Sequence, residues 1–315
     1  MRVKISGRAF LLGAILATPM AGWSQSLPAP APPPVAPSVE SPAAQTFATL
    51  PSSLPTENIC QQADGSIYVT LIDDKKVVRV DSNGKVSDFA RIPTATGLLG
   101  VACGDGEIAV GAFTKTFRGI PKRYSDTGTH IMVYDLAGVL KKDIIGVKSA
   151  GINGLAPGGK GIYYGGDSAS GTIYRIDTAT GTMSPWFKDD RFAPDTDAGA
   201  GINGVKAKNG WLYFSGPVMN GLYKIKIGPS GKPQGGLVPV ELGIRVDDFD
   251  VASDGSVYFP AGGIFYKVSA NGVVTPIAYP IQGGPSAIVD NNGKWVYWST
   301  RGGTGPQRLM RIALQ

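Results

Sequence analysis

A repeated segment limits the possible folds of this chain more than any other feature. Gly151–Ala156 (Gly-Ile-Asn-Gly-Leu-Ala) returns fifty residues later as Gly201–Lys206 (Gly-Ile-Asn-Gly-Val-Lys). Each copy precedes a glycine-rich turn, an aromatic segment and a further strand, which is Thr172–Asp177 in the first unit and Gly221–Lys226 in the second. Units of several short strands that repeat every ~40 to 50 residues are typical of the blades of a β-propeller.

Six such units can be counted from the third strand of each one. These strands end 54, 42, 49, 43 and 44 residues apart, and they are Val77–Asp81, Ile131–Asp135, Ile173–Asp177, Leu222–Lys226, Phe265–Ser269 and Leu309–Ala313. The last unit has only three strands, so Gln45–Leu50 is predicted to supply its missing outer strand and close the ring. The sequence therefore predicts an all-β fold: a six-bladed β-propeller over residues 45–315, with an N-terminal strand closing the last blade.

The N-terminal segment is predicted to lie outside the propeller. Residues 1–24 have the pattern of a secretory signal peptide, with a basic start, an apolar stretch and a small-x-small cleavage site, Gly22-Trp-Ser24. Residues 25–44 form a Pro/Ala-rich linker that cannot build a core. The signal-peptide pattern predicts a periplasmic or secreted protein. No later stretch is apolar enough to cross a bilayer, so we expect no stable membrane insertion.

The charge of the chain argues against a nucleic-acid partner. The formal net charge of +6 includes three basic residues of the predicted signal peptide, so the mature chain carries about +3. A nucleic-acid-binding domain needs a clustered basic face, which the sequence does not display. We therefore expect a small-molecule partner. The sequence specifies no oligomer, and a monomer is the favoured state.

The two cysteines allow two interpretations. Cys60 and Cys103 fall on the predicted inner strands of adjacent units. An exported protein is exposed to oxidising conditions, so a disulfide between them is geometrically conceivable. Two separately buried thiols explain the same sequence, and the pattern does not decide between the two.

One residue opens the innermost strand of each unit and is expected near one mouth of the central channel. Aligning the units on their first turn glycine gives six such positions: Glu57, Leu99, Asn153, Asn203, Asp247 and Pro285. Two carboxylates and two carboxamides therefore converge from four blades. Because carboxylates in a partly dry channel repel each other, one must be protonated or a cation must join them. Oxygen ligands without a soft donor favour Ca²⁺ first, then Mg²⁺ or Mn²⁺.

Other interpretations of single residues stay open. Each Asn-Gly pair alone fits a turn in which the asparagine caps local backbone, whereas its recurrence at the blade-opening position favours a functional role. Asp248 and Asp250 compete with Asp247 as the acidic group, and Asp248 is kept as a residue that could support the site. Arg301 could reach the mouth or lie in an exposed turn. One histidine and two cysteines exclude the usual zinc sites. His130 lacks the Gly-x-Ser-x-Gly motif that would accompany a hydrolase triad.

The blade-opening motifs resemble those of the regucalcin/gluconolactonase superfamily, which are six-bladed propellers related to senescence marker protein. The motifs that carry the resemblance are Thr56-Glu-Asn-Ile59, Ile152-Asn-Gly-Leu-Ala156, Ile202-Asn-Gly-Val205 and Val246-Asp-Asp-Phe249. The resemblance implies that Glu57, Asn203 and Asp247 bind one divalent metal. It further implies that Asn153 contacts the substrate and that Asp247 also acts as the catalytic base.

The resemblance also implies a function. We expect an exported, metal-dependent hydrolase of the lactonase or esterase type that acts on a small molecule at the central channel. A propeller scaffold supports other functions as well, so two alternatives stay open. The first is a noncatalytic propeller that binds a ligand or a protein and holds a structural cation. The second is a lyase similar to strictosidine synthase.

Overall fold

The computed structural model of the protein describes residues 44–115, 127–148, 150–194, 200–302 and 305–314. The predicted signal peptide, residues 1–24, and the linker up to residue 43 lie outside these ranges, so both stay predictions. Every described residue belongs to one unit of the chain, Ala31–Gln315. No helix within the described ranges is long and apolar enough to cross a bilayer.

The described residues form six antiparallel sheets of four strands, which are the blades of a six-bladed β-propeller and confirm the predicted fold. In chain order, the first strand is β1 (Gln45–Thr49), which belongs to blade 6. Blades 1 to 3 follow with β2 (Thr56–Gln61), β3 (Ile67–Leu71), β4 (Lys76–Val80), β5 (Val86–Arg91), β6 (Gly97–Cys103), β7 (Glu107–Phe113), β8 (Thr129–Asp135), β9 (Leu140–Ile145), β10 (Ile152–Gly159), β11 (Ile162–Asp167), β12 (Thr172–Asp177) and β13 (Thr182–Lys188). Blades 4 to 6 contribute β14 (Val205–Lys208), β15 (Trp211–Gly216), β16 (Gly221–Ile227), β17 (Pro233–Leu242), β18 (Asp250–Val251), β19 (Val257–Ala261), β20 (Ile264–Val268), β21 (Val274–Ala278), β22 (Ala287–Val289), β23 (Trp295–Ser299) and β24 (Arg308–Ala313). Short 3-10 helices lie at Asp190–Phe192 and Pro217–Met219.

The N-terminal strand closes the ring as the sequence predicts. β1 pairs antiparallel with β24, with Gln45 opposite Arg311 and Thr49 opposite Arg308. Blade 6 therefore has the order β1-β24-β23-β22, so its outermost strand comes from the beginning of the fold and the other three come from its end. Because the first and last strands of the described fold share one sheet, the ring cannot open at this blade without breaking a strand pair.

Asp-Gly turns connect inner and middle strands. In blade 1, Asp64 Oδ1 accepts a hydrogen bond from Ser66 N at 2.9 Å, and blade 5 repeats the contact within Asp254–Ser256. The intervening Gly65 has a φ of +85°, a conformation that costs glycine little and other residues more. These aspartates are therefore turn formers rather than members of the channel site.

The hydrophobic core is divided among the interfaces between neighbouring blades. Between blades 1 and 2, Tyr68 packs in one cluster with Leu98 and Val110. Between blades 5 and 6, the ring centroids of Phe265 and Trp298 lie 5.1 Å apart, and both side chains are fully buried. Burying a side chain of this size stabilises the fold by roughly 1.5–3 kcal/mol. Each blade therefore depends on its two neighbours for burial of its faces.

Cys60 and Cys103 form a disulfide, which decides between the two interpretations of the sequence. Cys60 lies on β2 and Cys103 is the last residue of β6, with the two Cα atoms 5.7 Å apart. The bond joins the inner strands of blades 1 and 2 across a sequence separation of 43 residues. A cross-link of this kind lowers the conformational entropy of the unfolded chain.

Glu241 is a buried carboxyl group on β17, the outer strand of blade 4. The residue is 6% exposed, and its Oε2 atom has no hydrogen-bond partner among the described residues. Burial raises the pKa of Glu241 to about 7, and a hydrogen bond from the backbone of Ile244 acts in the opposite direction. The folded state therefore favours the protonated form of this carboxyl group.

Replacing both cysteines, as Cys60→Ala with Cys103→Ala, is expected to lower the free energy of unfolding by about 2–4 kcal/mol, because the unfolded chain regains conformational entropy. Urea unfolding of the oxidised protein, the reduced protein and the double variant measures the effect. The reduced protein and the variant should agree with each other. Equal stability of all three would show that the bond does not contribute to the ring.

Glu241→Gln is expected to remove part of the pH dependence of stability. Folding raises the pKa of Glu241, so its contribution is most favourable below the usual value of 4.5 and is lost as the pH rises to about 7. The variant should exceed the wild type in free energy of unfolding by about 1–3 kcal/mol above that range. Denaturant unfolding at acidic and alkaline pH checks this, and a difference that does not change with pH would contradict it.

Candidate functional site

The residues that open the inner strands lie together at one end of the channel. Neighbouring blades are hydrogen-bonded there through their backbones: Gly154 N donates to Asn203 O at 3.0 Å, and Gly204 N donates to Asp247 O at 3.1 Å. These contacts connect blade 3 to blade 4 and blade 4 to blade 5. They place the predicted site residues of the three blades next to one another.

The glycine of each Asn-Gly pair has a steric role. A Cβ atom at Gly154 would lie 2.5 Å from Val205 N and closer still to Asn203 O. At Gly204 it would lie 2.9 Å from the Cα atom of Asp248. Only glycine permits the backbones of neighbouring blades to approach this closely. The glycine therefore packs the ring, and the asparagine before it remains available to face the centre.

The ends of the middle strands support the same end of the ring. In three blades a hydroxyl group donates to a backbone carbonyl of the next blade: Thr70 Oγ1 to Leu99 O at 2.8 Å, Ser215 Oγ to Asp247 O at 2.6 Å, and Ser299 Oγ to Glu57 O at 3.3 Å. Blade 3 has Gly166 near the corresponding strand end, where a Cβ atom would lie 2.6 Å from Asn203 O. The backbones that carry the site are thus held by hydroxyl bonds or by direct packing.

The four predicted polar side chains form two pairs. Asn153 Nδ2 donates to Glu57 Oε1 at 3.2 Å, and Asn203 Nδ2 donates to Asp247 Oδ1 at 2.5 Å. Glu57, Asn153 and Asn203 are buried. The side chain of Asp247 is 32% exposed and is therefore the member of the set most open to solvent.

Arg301 joins the two pairs. Its Nη2 atom contacts Glu57 Oε2, and its Nη1 atom lies 3.4 Å from Asp247 Oδ2. Its Nε atom donates to Thr56 O at 3.3 Å. Of the two alternatives for this residue, the structure shows that Arg301 reaches the mouth. Because both carboxylates contact one guanidinium group, the positive charge of Arg301 offsets the repulsion between their negative charges.

Asn58 fixes the position of Asn153. Its Nδ2 atom lies 2.8 Å from Asn153 Oδ1 and 3.2 Å from the backbone oxygens of both Asn153 and Leu99. The residue is buried, and it connects blade 1 to blades 2 and 3. Because the Asn153 carboxamide oxygen accepts from Asn58, its nitrogen is turned towards Glu57.

Two observations test whether these residues fit a divalent cation. The Oδ1 atom of Asn203 is buried without a hydrogen-bond partner. The carboxylates of Glu57 and Asp247 carry two negative charges when both are ionised, and both contact the single guanidinium of Arg301. Among the described residues no group of three His, Cys, Asp or Glu side chains could hold a metal ion, so a cation here would need a carboxamide ligand. A hard cation with oxygen ligands matches this donor set.

The environment of Asp247 disfavours its charged form. Desolvation by the surrounding groups raises the pKa of Asp247 although part of its side chain is exposed, and the neighbouring charge of Asp248 acts in the same direction. The hydrogen bond from Asn203 and the charge of Arg245 act in the opposite direction. An additional positive charge beside Asp247 would stabilise its ionised form and lower its pKa.

Asp248, the alternative acidic residue, has other partners. Both of its carboxylate oxygens lie 2.8 Å from Lys206 Nζ, and Ser286 Oγ donates to Oδ2 at 2.5 Å. Its side chain is 3% exposed. This ion pair links blades 4, 5 and 6 within the wall of the channel. Asp248 therefore supports the site and is not one of the groups around Arg301.

The remaining candidates lie elsewhere. His130 pairs with Asp143 at 2.6 Å across β8 and β9, the two outer strands of blade 2, which keeps it away from the channel. A cavity of about 210 Å³ lies within the channel and is lined by inner-strand residues such as Leu155 and Lys206. A cavity of about 580 Å³ lies where the inner strands end, at the opposite end of the channel from the predicted site. Neither Glu57 nor Asp247 lines either cavity.

Sequence reasoning did not identify Asn58 and left Arg301 undecided. Asn58 directly follows Glu57, and this adjacency is the one signal that could have found it. Arg301 is the second residue after β23, and nothing in its local sequence shows that its side chain turns back to blade 1. Only the closure of the ring brings residues 57 and 301 together.

Solved structures of other proteins share this architecture. A gluconolactonase from Xanthomonas campestris covers 87% of this chain and 95% of its own, with 13% identity and a TM-score of 0.60. An aldose sugar dehydrogenase from Streptomyces coelicolor, in its PQQ-bound form, covers 86% and 97%, with 16% identity and a TM-score of 0.58. A catalytically inactive virginiamycin B lyase from Staphylococcus aureus, with quinupristin, covers 87% and 99%, with 13% identity and a TM-score of 0.55. At these identities the likeness shows the fold alone.

The family of the chain follows from its sequence. Residues 60–243 match the family described as "Repeat of unknown function (DUF6923)", and the chain belongs to that family. No curated protein matches the chain. The presence of a gluconolactonase among the structural neighbours agrees with the resemblance seen in the blade-opening motifs.

Gly154→Ala is expected to destabilise the ring by about 1–3 kcal/mol or more, because the new Cβ atom meets backbone that cannot move away. Gly283→Ala is the matched control, since its Cβ atom would meet nothing within 4 Å. Thermal and urea unfolding of both variants measure the difference. If the two variants were equally stable, the close approach of blades 3 and 4 would not be needed.

Proposed function

We propose that this member of the DUF6923 family is an exported, cation-dependent hydrolase of the lactonase or esterase type. Its substrate would be a small molecule bound at the mouth of the channel. One observation carries the proposal: Glu57, Asn153, Asn203 and Asp247 come from four blades and form two carboxamide–carboxylate pairs, and Arg301 contacts the carboxylate of each pair.

The proposal assigns the cation to Glu57, Asn203 and Asp247. The partnerless oxygen of Asn203 supports this, because a buried carboxamide oxygen without a donor gains most from a cation. Oxygen-only ligands favour Ca²⁺, with Mg²⁺ or Mn²⁺ next. A bound divalent cation would supply electrophilic polarisation of an ester or lactone carbonyl and would stabilise the negative charge that develops on its oxygen.

Asp247 is the proposed general base. It is the most exposed of the four groups, so a water molecule can reach it beside a bound substrate. Asp247 would accept a proton as the oxygen of that water bonds to the carbonyl carbon. The ester C–O bond then breaks, and the same proton passes to the leaving alkoxide oxygen. Water is consumed, and an acid and an alcohol are formed.

Asn153 is the proposed substrate contact. Asn58 fixes its carboxamide, so Asn153 Nδ2 is directed at the centre without losing rotational entropy on binding. In the same position Asn153 keeps Glu57 oriented through the hydrogen bond of 3.2 Å. Asn153 therefore positions the substrate and the Glu57 carboxylate, while Asp247 accepts and returns the proton.

Export to the periplasm or the medium is part of the proposal. The signal-peptide pattern of residues 1–24 supports it, and so does the disulfide between Cys60 and Cys103. Structural disulfides form and persist in oxidising compartments such as the periplasm. A soluble monomer with a small-molecule substrate is the form that we propose.

Asp247→Asn is expected to reduce hydrolysis at least about 100-fold, because a carboxamide cannot accept the proton. The assay uses gluconolactone and p-nitrophenyl acetate, each with CaCl₂ and with a chelator. Asp105→Asn is the matched control, because Asp105 lines a cavity at the opposite end of the channel. Far-ultraviolet circular dichroism establishes that both variants are folded.

Two results would contradict the hydrolase proposal. Asp247→Asn could retain the activity of the wild type, which would exclude Asp247 as the base. Alternatively, the wild type could bind Ca²⁺ and hydrolyse neither substrate class across a wider lactone and ester panel. That result would favour the noncatalytic propeller with a structural cation. Calorimetric Ca²⁺ titration of the wild type separates the second result from a failure to bind the cation.

A further inference from the structure

The guanidinium group of Arg301 already holds the two carboxylates that the proposed cation would need. It contacts Glu57 Oε2 and Asp247 Oδ2 at the same time, while the other oxygen of each carboxylate accepts from a carboxamide. All four carboxylate oxygens are thus satisfied by groups of the chain itself. A cation from solution that binds both carboxylates would therefore compete with Arg301 for their negative charge.

Charge determines which partner is exchanged. When both are ionised, Glu57 and Asp247 carry two negative charges, and Arg301, the guanidinium that contacts both, supplies one positive charge. A divalent ion would make the sum positive if the guanidinium stayed, and it would make the sum zero if the guanidinium left. Ion and guanidinium would also repel each other while competing for the same two oxygens. The two cations therefore exclude each other.

The attachment of Arg301 permits its departure. The residue follows β23, and its backbone N donates to Gly283 O at 3.0 Å, so the main chain stays fixed when the side chain turns. The side chain is 38% exposed and borders on solvent. The asparagines have no such path, because Asn153 and Asn203 are buried and packed between blades.

We propose that Arg301 is a displaceable internal cation that occupies the metal-free site and is exchanged for the divalent ion. The inference rests on the proposed cation at Glu57, Asn203 and Asp247. Arg301 then has two effects. It keeps the two carboxylates together before the ion arrives, and it weakens ion binding by the free energy needed to remove its own contacts. The affinity of the site for the ion is therefore expected to be lower than the oxygen ligands alone would give.

Removal of the guanidinium is expected to tighten Ca²⁺ binding. Arg301→Gln should lower the Kd for Ca²⁺ by about tenfold or more, a change within the usual range for coupling between sites. Isothermal titration calorimetry of the chelator-treated full chain with CaCl₂ measures it. Arg308→Gln is the matched control, because it removes the same charge from an exposed position on β24. Arg301→Lys keeps the charge without the planar fork, and its Kd should fall between those of Arg301→Gln and the wild type.

A second measurement does not depend on affinity. Without Ca²⁺, Arg301→Gln should lower the Tm by about 2–4 °C or more, because the carboxylates lose their compensating charge. CaCl₂ should raise the Tm of this variant more than that of the wild type or of Arg308→Gln. The Tm also establishes that each variant is folded before its Kd is compared.

The outcomes separate this inference from the proposed function. If Arg301→Gln binds Ca²⁺ no more tightly than the wild type and Arg308→Gln, Arg301 does not compete, and the proposed cation site still stands. Weaker binding would show that Arg301 assists the ion, which overturns the exchange. If the wild type and Arg301→Gln both fail to bind Ca²⁺, the cation and its exchange fail together.

Discussion

Repulsion between two carboxylates at the mouth of the channel is the constraint on which the site depends. Glu57 belongs to blade 1 and Asp247 to blade 5, and the only described group that contacts both is the guanidinium of Arg301 from blade 6. Burial also disfavours the charged form of Asp247 and raises its pKa. The fold must therefore supply positive charge at this place, from its own side chain or from a bound ion. This requirement explains the contacts of Arg301 with both carboxylates and the cation in the proposed chemistry.

The ring can hold these charges together because its inner strands are packed unusually closely. Glycines such as Gly154 and Gly204 remove the Cβ atoms that would separate neighbouring backbones. Hydroxyl groups such as Ser215 bind the carbonyl of the adjacent blade. The disulfide adds a covalent link between blades 1 and 2, three residues after Glu57. Closure by β1 then fixes blade 6, which carries Arg301, against blade 1, which carries Glu57.

The fold could be predicted from the sequence because each blade repeats the same strand pattern. Six copies of a weak strand pattern together identify the propeller. The candidate site was accessible in part for the same reason: Glu57, Asn153, Asn203 and Asp247 occupy equivalent positions. Arg301 belongs to no repeated position, and Asn58 occupies a position that is glycine in blades 3 and 4, so the repeat does not indicate its contact. Their contacts arise from where single side chains turn in the closed ring, which a linear pattern does not encode. The disulfide was undecided because sequence places both cysteines on neighbouring strands without giving the distance between them.

The exchange of Arg301 for a divalent ion can be observed directly in crystals of the full-length mature protein soaked with MnCl₂. Anomalous scattering locates Mn²⁺ without reference to any assumed ligand. The expected result is a peak within bonding distance of Glu57, Asn203 and Asp247, with the side chain of Arg301 turned away from both carboxylates. Absence of a peak at this end of the channel, with Arg301 still between Glu57 and Asp247, would contradict the cation site and the function built on it.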